Sequence, residues 1–319
     1  MSAETWRTQM PDWAGSATAL HAQAEAIAAC YALPPPAQWR VGYRDLGHWR
    51  IACWGFWPAE PAVGTLWIWH GLFDHVGLCR HLIRVALACR YVVLAIDLPG
   101  HGLSSGAAAC IDDFSAYQDL LHAAIADVDD VAPRPWKALG QSTGGGILIE
   151  HLLRSPVPAF REVLLLAPLV RPAAFWQARI LHALLRRWVS SWPRNFRANS
   201  SDAAFLHFIR HDDPLQAQAL SVAWVGAMLA WERRLRHLPS SPAHIRVLQG
   251  ECDATVDWRY NLPWLQRHFP HADIQRLPQA SHQLANERAD LRQPVEQALR
   301  LFLGGTAVPT HLSRDENSV

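Results

Sequence analysis

Gly140-Gln141-Ser142-Thr143-Gly144 decides the reading of the fold. The apolar Trp136-Lys137-Ala138-Leu139 runs into it, and Gly145-Gly146-Ile147-Leu148-Ile149-Glu150-His151-Leu152-Leu153 runs out of it. A strand that ends in G-x-S-x-G and turns at once into a helix holds its serine at the tip of a sharp, strained turn, the nucleophile elbow. Glycines flank Ser142 because side chains there would clash with the tightly turned backbone. The pattern alone is cheap, so it counts only if the rest of the chain supplies the other parts in order.

The chain has 319 residues, half of them hydrophobic, and a formal net charge of +1. That is enough apolar mass for one large domain with a sizeable insertion. A net charge near zero gives no electrostatic reason to expect nucleic acid or an anionic membrane surface. The basic side chains are almost all arginine and are scattered along the chain, which argues against nucleic acid as a partner. Cys30, Cys53, Cys79, Cys89, Cys110 and Cys252 form no C-x-x-C pair and read as reduced thiols, which suits a cytoplasmic protein. The 17 histidines form no H-E-x-x-H or H-x-H cluster, so neither a metal nor another cofactor is expected. Met1 to Pro36 lacks the pattern of a signal peptide, and no run of apolar residues is long enough for a membrane span.

Short β-rich segments alternate with longer amphipathic ones, the pattern of a mostly parallel sheet with helices on both faces. The predicted strands are Trp49–Trp54, Leu66–Trp69, Tyr91–Ile96, Trp136–Leu139, Val163–Ala167, Ile245–Gln249 and Asp273–Leu277. Val41–Arg44, separated from the first of these by Gly47, predicts an antiparallel hairpin at a sheet edge. Between Val170 and Ser241 the strand signals vanish. Trp176, Ile180, Leu184 and Trp188 fall four apart, with Leu181 and Leu185 beside them. A second helix is predicted from Asp213-Pro214, carrying Leu220, Trp224, Ala227, Met228 and Trp231 on one stripe. The expected organisation is a helical N-terminal extension over 1–40, a core over 41–170 and 242–303, a helical lid over 171–241, and a fraying tail over 304–319.

A serine hydroxyl is a weak nucleophile near neutral pH and needs a base, usually a histidine oriented by a carboxylate. In this kind of sheet the order is serine, acid, histidine. Gly250-Glu251-Cys252-Asp253-Ala254-Thr255-Val256 follows the strand Ile245–Gln249, so Asp253 is the favoured acid and Asp257 its competitor. Gln279-Ala280-Ser281-His282-Gln283 follows the last strand and makes His282 the base. An oxyanion needs two amide donors. Thr143 N–H at the start of the helix is one, and Leu72 N–H in the loop Trp69-His70-Gly71-Leu72-Phe73-Asp74-His75 is the other. His70 and His75 read as braces of that loop.

These motifs resemble the α/β-hydrolase superfamily, and within it the monoacylglycerol lipase and lysophospholipase-like branch. His70-Gly71-Leu72 with Asp74-His75, Asp97-Leu98-Pro99-Gly100-His101-Gly102-Leu103-Ser104, Gly140-Gln141-Ser142-Thr143-Gly144-Gly145, Gly250-x-x-Asp253-x-x-Val256 and Ala280-Ser281-His282 carry the resemblance in order, over roughly Val41 to Phe302. It implies the α/β-hydrolase fold, a mostly parallel eight-stranded sheet with a helical lid after the sixth strand. It also implies Ser142 as nucleophile, His282 as base, Asp253 as its orienter, and Leu72 and Thr143 as oxyanion hole. Gln141 and Thr143 depart from the histidine and methionine often found there, so substrate preference does not transfer with the fold.

Trp176, Trp188, Trp192, Trp224 and Trp231 fall in the expected lid, where most would pack it on the core. Aromatic side chains left over would line an apolar chamber. The expected partner is a small ester with an apolar acyl chain, a monoacylglycerol, a lysophospholipid or a simple medium-chain ester, with transient contact to lipid surfaces. Thioesterase, lactonase and aminopeptidase reactions use the same triad, and a catalytically idle scaffold binding a ligand is the reading from another class. An aminopeptidase needs a lid carboxylate for the substrate's ammonium, and only Asp202, Asp212, Asp213 and Glu232 are available.

Overall fold

Tyr91–Ile96 is apolar at every position and lies buried in the middle of the sheet, as a strand covered on both faces must be. The structure is a computed structural model of the chain and describes residues 3–13, 21–35, 38–126, 128, 132–155, 158–160, 162–194 and 196–304. The expected fraying tail beyond Gly304 lies outside these residues, as do parts of the N-terminal extension.

Eight strands form one sheet: β1 (Trp39–Leu46), β2 (Trp49–Phe56), β3 (Gly64–Trp69), β4 (Tyr91–Ile96), β5 (Trp136–Gln141), β6 (Glu162–Leu166), β9 (His244–Gly250) and β10 (Asp273–Leu277). Their order is β1-β2-β4-β3-β5-β6-β9-β10. The pairs β1–β2 and β2–β4 are antiparallel, and all the others are parallel. Each predicted strand is present, and the predicted hairpin turns at Gly47, whose φ of +64° favours glycine. Alternate residues divide the core in two. Val163 and Leu165 of β6 face one layer, and Leu164 and Leu166 face the other.

The first layer contains α4 (Ser115–Ile125) and α9 (Trp258–His268); the second contains α3 (Arg80–Ala88) and α10 (Ala289–Phe302). Two N-terminal helices, α1 (Ala3–Thr8) and α2 (His21–Tyr31), join the second layer by burying Trp6, Ile27 and Tyr31. The parallel strands all point the same way, so the loops after β3, β5, β9 and β10 gather at one rim of the sheet, where α/β proteins bind ligands.

Between β6 and β9 the chain is mainly helical, with two differences from the reading of the sequence. A short antiparallel ribbon, β7 (Ser191–Pro193) with β8 (Ala219–Ser221), occurs where no strand signal stands. The second long helix, α8, covers Val222–Leu235 and does not begin at Asp213. Asp213 is drawn inward instead. Its carboxylate accepts hydrogen bonds from Leu215 N–H and Gln216 Nε2 locally, and from Tyr31 Oη of α2 at 2.7 Å; His75 Nε2 lies 2.9 Å from it. A side chain so engaged does not cap a helix. Asp202 does, accepting from Phe205 N–H at the start of α7 (Ala203–His207).

The tryptophans of this segment also divide. Trp224 and Trp231 of α8 are buried, and Trp231 donates Nε1–H to the buried Glu150 at 2.9 Å. Trp176 of α6 (Phe175–Leu185) and Trp188 beyond its end are exposed. The reason is that α6 meets the protein through its other side, with Phe175, Ala178 and His182. His182 lies so close to Gly226 of α8 that a Cβ there would approach Nε2 to 2.6 Å.

Candidate active site

Ser142 lies between β5 and α5 (Thr143–Arg154) with φ +50° and ψ −112°. An L residue held there costs about 1–3 kcal/mol, which persists only when the surroundings over-determine it. They do. Ser142 N–H donates to the Leu166 carbonyl, and its own carbonyl accepts from Gly146 and Leu169 N–H, all at 3.0 Å. The glycines have the role expected of them. A Cβ on Gly144 would stand 2.0 Å from the Trp69 carbonyl oxygen, and one on Gly140 would stand 2.6 Å from Gly145 N. The elbow is thereby pressed against the end of β3, where the loop of His70 to His75 begins.

His282 and Asp253 arrive from the loops after β10 and β9. His282 Nδ1 lies 2.8 Å from Asp253 Oδ2, and both side chains are almost wholly buried. Asp253 accepts from Gln249 Nε2 on the same oxygen and from Thr255 and Val256 N–H on the other. Burial works against its charge, but His282 and these donors outweigh it, and its pKa lies below the ordinary carboxylate value. For His282, burial again disfavours the charged form. The carboxylates of Asp253 and Asp74 outweigh that too, and its pKa is raised above 6.5. With Nδ1–H committed to Asp253, Nε2 is the nitrogen left for chemistry. The competitor Asp257 lies elsewhere in role, accepting from Tyr260 N–H as the N-cap of α9.

Ser142, Thr143, Leu72 and His282 line one cavity of about 210 Å³. Its other walls are largely apolar and come mainly from the segment between β6 and β9, including Ala178, Leu220, Trp224, Val225 and Met228. Thr143 opens α5, where the first amides of a helix have no partner within it. All five residues singled out in the sequence therefore stand at the same rim, four around the cavity and Asp253 behind His282.

A family model described as Serine aminopeptidase, S33 matches residues 60–289. The chain belongs to this family. Phospholipase YtpA of Bacillus subtilis (strain 168) is 31% identical over 112 residues, 35% of this chain and 43% of that protein. Monoacylglycerol lipase of Mycolicibacterium smegmatis is 28% identical over 115 residues, 36% of this chain and 41% of that protein. The chain thus spans less than half the length of either curated relative. A soluble variant of monoglyceride lipase from Saccharomyces cerevisiae, solved with a substrate analogue, matches with a TM-score of 0.72 over 83% of this chain and 95% of that one, at 15% identity. At that identity the likeness is one of fold, and the fold is the α/β-hydrolase fold.

In this S33 family member several residues that hold the site carry no readable signal in the sequence. Gln141, noted above only as a departure, donates Nε2–H to the His282 carbonyl at 3.0 Å. Asn199 accepts His282 and Gln283 N–H on its carbonyl, which ties the histidine loop to the insertion. Gln283 Nε2 donates to the buried Asp74 at 2.8 Å, and Glu287 accepts from Ser281 and Ser201 N–H. Each joins segments far apart in sequence, so only the folded chain reveals it. His70 is the brace expected. Its Nε2 accepts Leu98 N–H, so Nδ1 carries the proton and donates to the Gly71 carbonyl at 2.8 Å.

Arg194 also lines the cavity, stacked on Phe73 and Phe196 with its guanidinium about 4 Å from each ring. Burial pulls its pKa down to about 10.

Proposed function

We propose that this protein is a serine hydrolase that cleaves carboxylic esters with apolar acyl groups, monoacylglycerols or lysophospholipids among them. The observation that carries the reading is the 2.8 Å pairing of buried His282 with Asp253 beside a cavity shared with Ser142, whose backbone has the positive φ of an elbow. The names of the two curated relatives, a phospholipase and a monoacylglycerol lipase, point the same way. In the proposed reaction Ser142 Oγ attacks the ester carbonyl carbon while His282 Nε2 takes its proton. Leu72 and Thr143 N–H hold the oxyanion. Collapse breaks the bond to the alcohol, which leaves with the proton from His282. Water, activated by the same nitrogen, then cleaves the acyl-enzyme and releases the acid.

The segment 171–241 is proposed to act as a lid on the core of 41–170 and 242–303, since its side chains form much of the cavity wall. Six free cysteines support a cytoplasmic location. The ester reading is preferred over an aminopeptidase because none of the insertion's carboxylates lines the cavity. Asp202 caps α7, Asp213 faces His75 and Tyr31, and Asp212 lies 3.6 Å from His207. Glu232 pairs with Arg171 and Arg236.

The test is a fluorophosphonate probe on the wild-type protein beside an acyl-chain series of nitrophenyl esters. Labelling together with turnover that peaks at one chain length is the expected result. Folded protein that neither labels nor turns over any ester of the series would leave only a ligand-binding scaffold. The pH profile tests the base separately. His282 must be neutral to accept a proton, so activity should fall about tenfold per unit below its pKa. The midpoint should lie above 6.5, because the carboxylates raise that pKa. Activity that stays flat to about pH 5 would remove His282 from the role.

A further inference from the structure

Seven large apolar side chains are exposed among the described residues, and five of them, Trp176, Ile180, Leu181, Leu184 and Trp188, lie within one stretch of 13 residues. At about 100° per residue, those within α6 fall on a single arc of the helix. Phe175, Ala178 and His182 occupy the opposite side and face the protein. This is the reverse of a helix of a water-soluble surface, which turns its apolar stripe inward. Trp188 is 84% exposed and Leu184 66%. Apolar side chains grouped this way on a surface mark a place where something other than water is met.

The charge around this face says what that is. From Arg171 to Ser201 the sequence holds six arginines and no aspartate or glutamate, although the chain as a whole carries a net charge of only +1. Arg171 is paired with Glu232, and Arg194 is stacked in the cavity. Arg179, Arg186 and Arg187 remain exposed on and around α6, and Arg197 is exposed beyond it. Whole-chain charge gave no reason to expect an anionic surface; its local distribution does. Two copies of the chain meeting through this face would bring these arginines together with no carboxylate from the same stretch between them. A bilayer accepts both features at once, the apolar arc entering the acyl region and the arginines meeting lipid phosphates. Tryptophan is the residue suited to the boundary between the two.

We infer that the outward face of α6, continued by Trp188, docks this protein on an anionic lipid surface. The position fits the cavity. Ala178 on the inner side of the same helix lines it, while Ala174 and Trp192, at either end of the segment, line a second cavity of about 310 Å³ that shares Arg194, Phe73 and Asn199 with it. Both cavities therefore border the segment that carries the docking face.

Flotation with vesicles tests this independently of turnover, so its outcome is separate from that of the esterase reading. Vesicles of phosphatidylglycerol and phosphatidylcholine in equal parts are compared with vesicles of phosphatidylcholine alone. Binding to the anionic vesicles should be at least about tenfold tighter and should weaken as salt is raised past the range where surface charges are screened. Trp176→Ser, Ile180→Ser, Leu184→Ser and Trp188→Ser combined should reduce that binding at least about tenfold, with the thermal midpoint unchanged because these side chains are exposed. Arg179→Gln, Arg186→Gln and Arg187→Gln combined should abolish the preference for anionic vesicles. Binding that is absent, indifferent to lipid charge, or retained by the serine variant overturns the inference. So does a wild-type dimer that the serine variant converts to monomer, since the face would then belong to a second copy.

Discussion

Ser142→Ala is expected to lower kcat for ester hydrolysis by about 10⁴- to 10⁶-fold and to abolish fluorophosphonate labelling. Six orders of magnitude correspond to about 8 kcal/mol of transition-state stabilisation. An effect of that size is expected because removing the nucleophile removes the covalent route altogether, leaving only what the oxyanion donors and the cavity achieve with water. The substitution is a clean one. Alanine keeps the Cβ, so the cost of holding φ at +50° is the same in both proteins, and the three backbone hydrogen bonds of residue 142 are untouched. The thermal midpoint should therefore stay close to wild type. Single-turnover rates and thermal unfolding on the same preparations check both parts. A variant that retains more than about a hundredth of wild-type turnover would mean that the nucleophile is another group.

The two levels of this molecule were not equally legible in the sequence. The sheet was readable because strands buried on both faces must be apolar at nearly every position, as Tyr91–Ile96 and Val163–Leu166 are. The elbow was readable for a steric reason, since only glycine fits where Gly144 meets the Trp69 carbonyl. Chain order and loop position then sufficed to select Asp253 and His282, which the folded chain brings to 2.8 Å. The insertion was harder. The Asp213-Pro214 pair has the local chemistry of a helix start, yet a tertiary demand from Tyr31 and His75 takes its carboxylate. Likewise the periodic stripe of α6 has the period of a packed helix, but period does not say which side meets the protein. That is decided by the close approach of His182 to Gly226. The amides of Gln141 and Gln283 belong to the same class, since their partners, the His282 carbonyl and Asp74, exist only once loops from separate strands have met.

Asp253→Asn is expected to cost about 10⁴-fold in kcat while leaving KM nearly unchanged. The asymmetry follows from position: Asp253 lies behind His282 and does not line the cavity, so substrate does not touch it. The loss follows from donors. In the native site one carboxylate oxygen receives Thr255 and Val256 N–H, and the other receives His282 Nδ1–H and Gln249 Nε2–H. An asparagine has a single oxygen. The two backbone donors cannot turn away, so the oxygen remains with them and the amide group faces His282 and Gln249. His282 then accepts at Nδ1 and carries its proton on Nε2, the nitrogen that must be bare to act as base. Gln249 is left opposing a second donor in a buried place, which should also cost about 1–3 kcal/mol of stability. Asp257→Asn is the matching control, because Asp257 caps α9 and has no part in this pairing. It should leave the helix start nearly as stable, since an asparagine oxygen caps as well as a carboxylate, and leave turnover intact. The reverse outcome, with Asp257→Asn inactive and Asp253→Asn retaining more than about a tenth of wild-type kcat, would transfer the orienting role and undo this account of the site.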